Sequence, residues 1–358
     1  MFQNKKLYLY IIFGFTLIIL LSLITIAVTT PKSNFWATKN TQIEDLINLG
    51  FDGTDVTIGI VDTGVCIDHQ DLESLSFISW LDVINNISNY YDDEDHGTHI
   101  VGILAAKGSL QGVYSGVNLK GIAINSKYVI VKSIPHNQYL FDGTNDSRIA
   151  AGIKFCINND VDIILLSIGP GIDYIDFKEN SLSVTQINNA ISKGIFVVVP
   201  AGNDGQKDNG DVNFLANLEN VISVGAISKG NSILPFSSRG HQYPQTVHPN
   251  KKPELVAPGN QITSTRINGA YGDISGTSQA AAYVAGIIAL LLDAYPEYKH
   301  DGMKNENVST IHLFKEIFAK TAKKIGNLMN IDDELSHDDL YGYGLIQAYD
   351  AYLELSKY

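Results

Sequence analysis

The chain has 358 residues, a formal net charge of −13 and 45% hydrophobic residues. That is globular composition with enough apolar material for one large core or two smaller ones. The acidic balance argues against nucleic acid or anionic lipid as a principal partner. Two cysteines, Cys66 and Cys156, make no disulfide framework and no zinc site, and read as small buried apolar residues.

Met1–Thr30 reads as a transmembrane anchor or a signal segment. Lys5 and Lys6 precede an uncharged apolar run from Leu7 to Val28. That run exceeds a usual signal core and is long enough to span a bilayer, which takes about 20 residues. A retained anchor is the reading, with cleavage after a Thr25-x-Ala27 pair as its alternative. Either way the short tail before it makes the body the translocated part. The expectation is a membrane-anchored chain with an extracytoplasmic body, or a secreted one. Sequons at Asn86, Asn145 and Asn307 permit glycosylation there. Residues 31–50 are a polar linker and lead-in, with a helix-like patch at Ile43–Leu49.

From residue 51 the pattern is α/β. Apolar strand-like runs occur at Val56–Val61, Tyr128–Lys132, Asp162–Ser167, Ile195–Val199 and Val221–Ala226. Helix-like stretches lie between or after them, at His99–Ala106, Ser147–Asn158, Ser181–Ser192, Ser278–Asp293 and Ile311–Lys323. Strands apolar throughout, alternating with helices, predict a mostly parallel sheet covered on both faces. No break in composition divides 51–358, which reads as one domain. In such sheets chemistry sits outside the carboxyl ends of the strands.

Four polar residues stand where that rule puts function. Asp62 follows the first strand and precedes Thr63-Gly64; a carboxylate there is costly to bury unpaired. His96 opens a buried helix in DDEDHGTHI, where the helix dipole favours a neutral imidazole. Asn203 follows a strand end and Ala201-Gly202; its amide N–H₂ suits an oxyanion. Ser278 starts the buried helix Ser278–Asp293, its hydroxyl and N–H at the positive helix end. Each has a plainer reading: a turn-capping Asp, a turn Asn, a helix N-cap Ser. His96 and His99, with Asp92, Asp93 and Asp95 nearby, also admit a metal, but their spacing is not that of HExxH and no second ligand cluster follows.

Taken together, the order Asp, His, Ser is that of the subtilisin arrangement of the catalytic triad. Val61-Asp62-Thr63-Gly64, Asp95-His96-Gly97-Thr98-His99, Val199-Pro200-Ala201-Gly202-Asn203 and Gly276-Thr277-Ser278 resemble the motifs of the subtilisin-like serine proteases (subtilases, peptidase family S8). Phe236–Gly240, Pro253–Gly259 and Tyr343–Ile346 also look like family segments, and the likeness spans roughly Gln42–Leu355. The resemblance implies a three-layer fold with a mostly parallel central sheet and helices on both faces. It implies a serine endopeptidase acting on polypeptides. Ser278 would be the nucleophile, His96 the base, Asp62 the residue that orients it, and Asn203 the oxyanion donor. Substrate would lie extended beside Ser167-Ile168-Gly169 and Gly143.

The chain departs from the family in places. Gln279 stands where an oxidisable Met usually follows the serine, and Phe214-Leu215 and Leu218-Glu219 replace Tyr-Pro pairs near the specificity pocket. The stretch before the catalytic domain is too short for a separately folded propeptide. No cofactor is required. Asp71 matches a family calcium position, but Gly108–Gly121 holds no carboxylate, so that calcium site is doubtful. These departures leave an alternative: a catalytically weak or inactive binding protein on the same fold.

Overall fold

The computed structural model describes residues 34–73, 75–109, 119–136, 145–167, 180–206, 212–240, 247–304, 307–329 and 333–358. The apolar run Leu7–Val28 lies outside them, as do Gly143, Ile168 and Gly169.

Two short helices come first, α1 (Phe35–Asn40) and α2 (Ile43–Asn48), within the stretch read as a lead-in. Ala37, Ile43 and Leu46 are fully buried in the common core. Asn34 pairs with the backbone of Thr263 in both directions, donating from Nδ2 to its carbonyl at 2.6 Å and accepting from its N–H at 3.0 Å. Gln42 donates to the Asp350 carboxylate at 3.1 Å and accepts from the Asp350 N–H at 3.0 Å. These amides tie the start of the described chain to segments more than 200 residues away.

The strands are β1 (Thr57–Asp62), β2 (Ser76–Asp82), β3 (Lys127–Lys132), β4 (Ile163–Leu166), β5 (Phe196–Pro200), β6 (Ile222–Ile227) and β7 (Leu255–Pro258). They form one seven-stranded sheet in the order β2-β3-β1-β4-β5-β6-β7, and every neighbouring pair is parallel. The five predicted runs are β1, β3, β4, β5 and β6. Each is buried along its length except at Lys127, as strands covered on both faces must be. β2 escapes that pattern because it is the edge strand, with Ser76 and Ile78 exposed. A hairpin, β8 (Ile262–Thr265) with β9 (Tyr271–Ile274), stands apart from the sheet.

The crossover helices are α3 (His96–Ala105), α4 (Asn145–Asn158) and α5 (Leu182–Ser192); α6 (Thr277–Ala294), α7 (Val308–Thr321) and α8 (Ala348–Leu355) follow the last strand of the sheet. α3 and α6 pack on each other; α3 also meets β1, and α6 meets β4 to β7. α4 and α5 pack on each other and on β1, β3 and β5. The alternation of β1 decides which layer receives Asp62. Val61 faces α4, since a Cβ on Gly152 would lie 3.1 Å from its Cγ1. Asp62, one residue on, must face the α3 layer.

α6 is apolar and long enough to cross a membrane by length and composition. Its residues Thr277 to Leu292 are all buried, so it is the central core helix. Cys156 is buried too, its thiol pushed up to about 12 by burial, and neither cysteine is in a disulfide.

His99, one turn inside α3, is fully buried. Its Nε2 donates to the carbonyls of Ile262 at 2.9 Å and Gly272 at 3.2 Å, joining α3 to the β8–β9 hairpin. Burial, helped by the neighbouring His96, holds its pKa down to about 3. The unfolded chain therefore takes up a proton that the folded chain refuses between about pH 6.5 and 3. Stability should fall as pH drops through that window. Replacing His99 with Gln, which keeps a donor but cannot protonate, should flatten the slope by about 1.4 kcal/mol per pH unit. Urea unfolding at a series of pH values measures it, and an unchanged slope contradicts the assignment.

Candidate active site

The carboxyl end of β1 lies between β3 and β4, where the strand order changes direction, so a crevice is expected there. Asp62 closes β1 and is fully buried. Its Oδ1 accepts from His96 Nδ1 at 2.7 Å and from the Thr63 N–H at 2.6 Å. A carboxylate can only accept, so the neutral ring carries its proton on Nδ1 and leaves Nε2 as the basic nitrogen. The His96 side chain is 17% exposed and its partner not at all.

His96 is the first residue of α3, as its sequence context predicts. The dipole argument leads one to expect a depressed pKa, and the structure gives the opposite. Burial does push the imidazole down, but Asp62, by charge and by hydrogen bond, together with Asp92 and Asp95, lifts it above 6.5. Three carboxylates within reach outweigh one helix end.

Thr63, next to Asp62 in the first motif, is a hub. Its N–H goes to Asp62, and its hydroxyl donates to Asp92 Oδ1 at 2.9 Å and accepts from the Gly97 N–H at 2.8 Å. Its carbonyl accepts from the buried Lys132 ammonium at 2.7 Å. Asp92 in turn accepts from the N–H groups of Glu94, Asp95 and Thr98 and from the Thr98 hydroxyl. Burial pushes its carboxyl up, yet these donors hold it below the ordinary range. The strand end and helix start must nearly touch for this. A Cβ on Gly97 would sit 2.2 Å from the Gly64 carbonyl oxygen, and one on Gly64, at φ +116°, 2.1 Å from that of Tyr91.

The acidic run around His96 is thus fully occupied. Asp92 caps the turn, Asp93 pairs with Lys132, Glu94 with His136, and Asp95 with Arg266. His99 spends its Nε2 on carbonyls. Among the described residues one group has metal-ligating atoms close together: Asp162, His300 and Asp301. It lies at the amino end of β4, opposite Asp62, and His300 already bonds the Asp162 carboxylate.

The second half of the site is built on β5 and α6. Asn203 follows β5, and its Oδ1 accepts from both the N–H and the hydroxyl of Thr277 at 3.1 Å. That fixes the amide and aims Nδ2 away from Thr277. The turn is held from behind, where Ser238 donates its N–H to the Gly202 carbonyl and accepts at Oγ from the Asp204 N–H. Ser278 is the second residue of α6, and 2% exposed. A Cβ placed on Gly276 would lie 3.8 Å from both Asn203 Nδ2 and the Ser278 nitrogen, so the two amide nitrogens border one hollow. The halves are joined by α3–α6 packing and by the hairpin. Ser264 and Thr265 of β8 donate to the carbonyls of His99 and Thr98, and β9 ends two residues before Gly276. Ser167 lies just past the end of β4, fully buried, with no partner for its hydroxyl among the described residues.

The parallel sheet, the buried serine-bearing helix and the paired histidine and aspartate are those of a subtilisin-like protease. The chain belongs to the subtilase family, whose model matches residues 53–344, and the family is one of serine endopeptidases. It is 30% identical over 323 residues to the minor extracellular protease Epr of Bacillus subtilis (strain 168), covering 89% of this chain and 42% of that protein. To a subtilisin of Bacillus pumilus it is 31% identical over 265 residues, covering 73% of this chain and 85% of that one. The chain thus spans less than half the length of Epr and most of the length of the subtilisin. Among solved structures, the prenylagaramide maturation protease PagA matches with a TM-score of 0.64 at 20% identity, over 87% of this chain and 98% of that one. At that identity the likeness shows the fold.

Asp92, which the sequence offers only as a possible metal ligand, should be highly sensitive to substitution. Exchanging one of its oxygens for an N–H₂ in Asp92→Asn sets donor against donor at the Thr63–Thr98 junction. The expected loss is about 2–3 kcal/mol of stability in urea unfolding; a change under about 0.5 kcal/mol would show that the junction is not under tension.

Proposed function

We propose that the chain is a serine endopeptidase whose catalytic residues are Asp62, His96 and Ser278, with Asn203 in the oxyanion pocket. The 2.7 Å bond from His96 Nδ1 to Asp62 carries this reading, because it leaves Nε2 as the basic nitrogen. In the first step Ser278 Oγ attacks the scissile carbonyl carbon and His96 Nε2 takes the hydroxyl proton. The carbonyl oxygen becomes an oxyanion that accepts from Asn203 Nδ2 and the Ser278 N–H. Collapse breaks the C–N bond, and the imidazolium returns its proton to the leaving amine. Water then hydrolyses the acyl-enzyme by the same route in reverse.

Polypeptide is the substrate class. An extended backbone would pair with the segment from Ser167 through Gly169 and with Gly143, which supplies affinity with little sequence demand. No cofactor enters these steps. At the family calcium position, Asp71 Oδ1 accepts from the Ser109 N–H at 2.8 Å and Oδ2 from the Tyr271 hydroxyl at 3.1 Å. The Leu7–Val28 run supports a membrane-anchored protein with its catalytic domain outside the cytoplasm, or a secreted one.

Labelling of the full chain by a serine-directed phosphonate, together with hydrolysis of an internally quenched peptide, tests the assignment. Ser278→Ala should abolish both. A folded wild-type chain that takes no label would instead mark a binding protein on a protease fold.

The pH profile is a separate test. Turnover requires neutral His96, and its carboxylate neighbours favour the charged form. Activity should therefore rise with pH through a midpoint above 6.5, and a kcat/KM profile centred at or below 6.5 would contradict the pairing seen here.

A further inference from the structure

Gln279 directly follows Ser278 in the first turn of α6 and is 1% exposed. Its Nε2 has no hydrogen-bond partner among the described residues. Native interiors keep few such groups, because a buried N–H₂ without an acceptor bears the whole cost of its desolvation. Where one persists beside a reactive serine, an acceptor that arrives only with substrate explains it.

The position of the amide says which acceptor. A Cβ on Gly276 would stand 2.7 Å from Gln279 Oε1 and 3.8 Å from both Asn203 Nδ2 and the Ser278 nitrogen. All three groups therefore flank the space beside Gly276, and the Gln279 oxygen takes up the part of it that a side chain there would need. Two of them are the donors already assigned to the oxyanion. Asn203 cannot turn, since Thr277 holds its oxygen twice. Gln279 has no such restraint on Nε2. A half-turn about its last torsion, which is broad and two-fold, exchanges oxygen for nitrogen at the hollow and breaks no bond made by Nε2.

We propose that Gln279 is a further catalytic residue, a third donor whose Nε2 hydrogen-bonds the oxyanion formed at the substrate carbonyl, beside Asn203 Nδ2 and the Ser278 N–H. The assignment rests on the reading of Ser278 as nucleophile. Without substrate the amide oxygen is the end of Gln279 that lies beside Gly276. Once negative charge develops there, only the nitrogen face is favourable, so the bond strengthens toward the transition state and not in the ground state.

The test uses the full chain and three variants. Gln279→Met keeps length and helix propensity and removes the donor; Gln279→Glu leaves only acceptors; Ser278→Ala is the inactive reference. For Gln279→Met, kcat on an internally quenched peptide should fall about 10-fold, the loss expected for one hydrogen bond, while KM stays within about two-fold. The affinity of a peptide boronate, which places oxygen in the hollow, should weaken by the same factor. Gln279→Glu should fall further than Gln279→Met. Unchanged kcat and boronate affinity in Gln279→Met overturn the assignment. So does a loss of kcat accompanied by a raised KM and a lowered Tm, which is the mark of a packing role. These outcomes are read against an active wild type, so they sink this assignment alone. A wild type that neither turns over nor labels at Ser278 sinks the parent reading with it.

Discussion

A carboxylate with no access to water sits at the middle of this molecule, and the structure around it is organised to supply its donors. Removing such a charge from solvent costs several kcal/mol unless hydrogen bonds replace the water. Asp62 receives two, from His96 Nδ1 and from the Thr63 N–H, both on one oxygen. The other oxygen has no partner among the described residues. Losing either donor leaves a buried charge underserved, so both must be held in place. Thr63, Asp92, Thr98 and Lys132 do the holding, and Gly64 and Gly97 let the strand end and the helix start approach closely enough for it. The same requirement raises the basicity of His96, because the carboxylates that secure its position also favour its protonated form.

The serine side is built on a different principle. α6 is buried on every side and packs on four strands and on α3, so its first turn has little freedom. Asn203, on a loop, would be mobile if left alone. Thr277 removes that freedom by engaging its oxygen with two donors. A donor placed in advance stabilises developing charge without reorganisation when the reaction occurs. Gln279 differs in this respect: it is more deeply buried than Asn203, and its nitrogen has no partner among the described residues.

The acidic character of the chain has a local counterpart beside the site. Four acids in succession, Asp92 to Asp95, precede the histidine, and each has a separate partner in Thr98, Lys132, His136 or Arg266. Such a cluster invites a metal reading when seen as a string of letters. In three dimensions the side chains diverge, one into the turn, one to a buried lysine, and two to His136 and Arg266 on other segments.

The amino acid order alone determined a good deal. Apolar runs at the strand and helix periods located five strands of the sheet and the crossover helices to within a few residues. The half-exposed edge strand β2 and the short β7, β8 and β9 carry too little of either period to be read. Asp62, His96, Asn203 and Ser278 stood out because a polar residue at the end of a fully apolar run needs a reason. Tertiary structure decided what such local reasoning cannot reach. The partners that give Thr63, Thr277 and Asp92 their roles lie 29 to 74 positions away and are not written in their own segments. Position at a helix start suggested a depressed pKa for His96, and the fold reversed it by bringing Asp62 from 34 residues off within 2.7 Å. Periodicity is written along the chain, but hydrogen bonds and fields act through space, so element type was legible in the sequence and the partners of each polar atom were not.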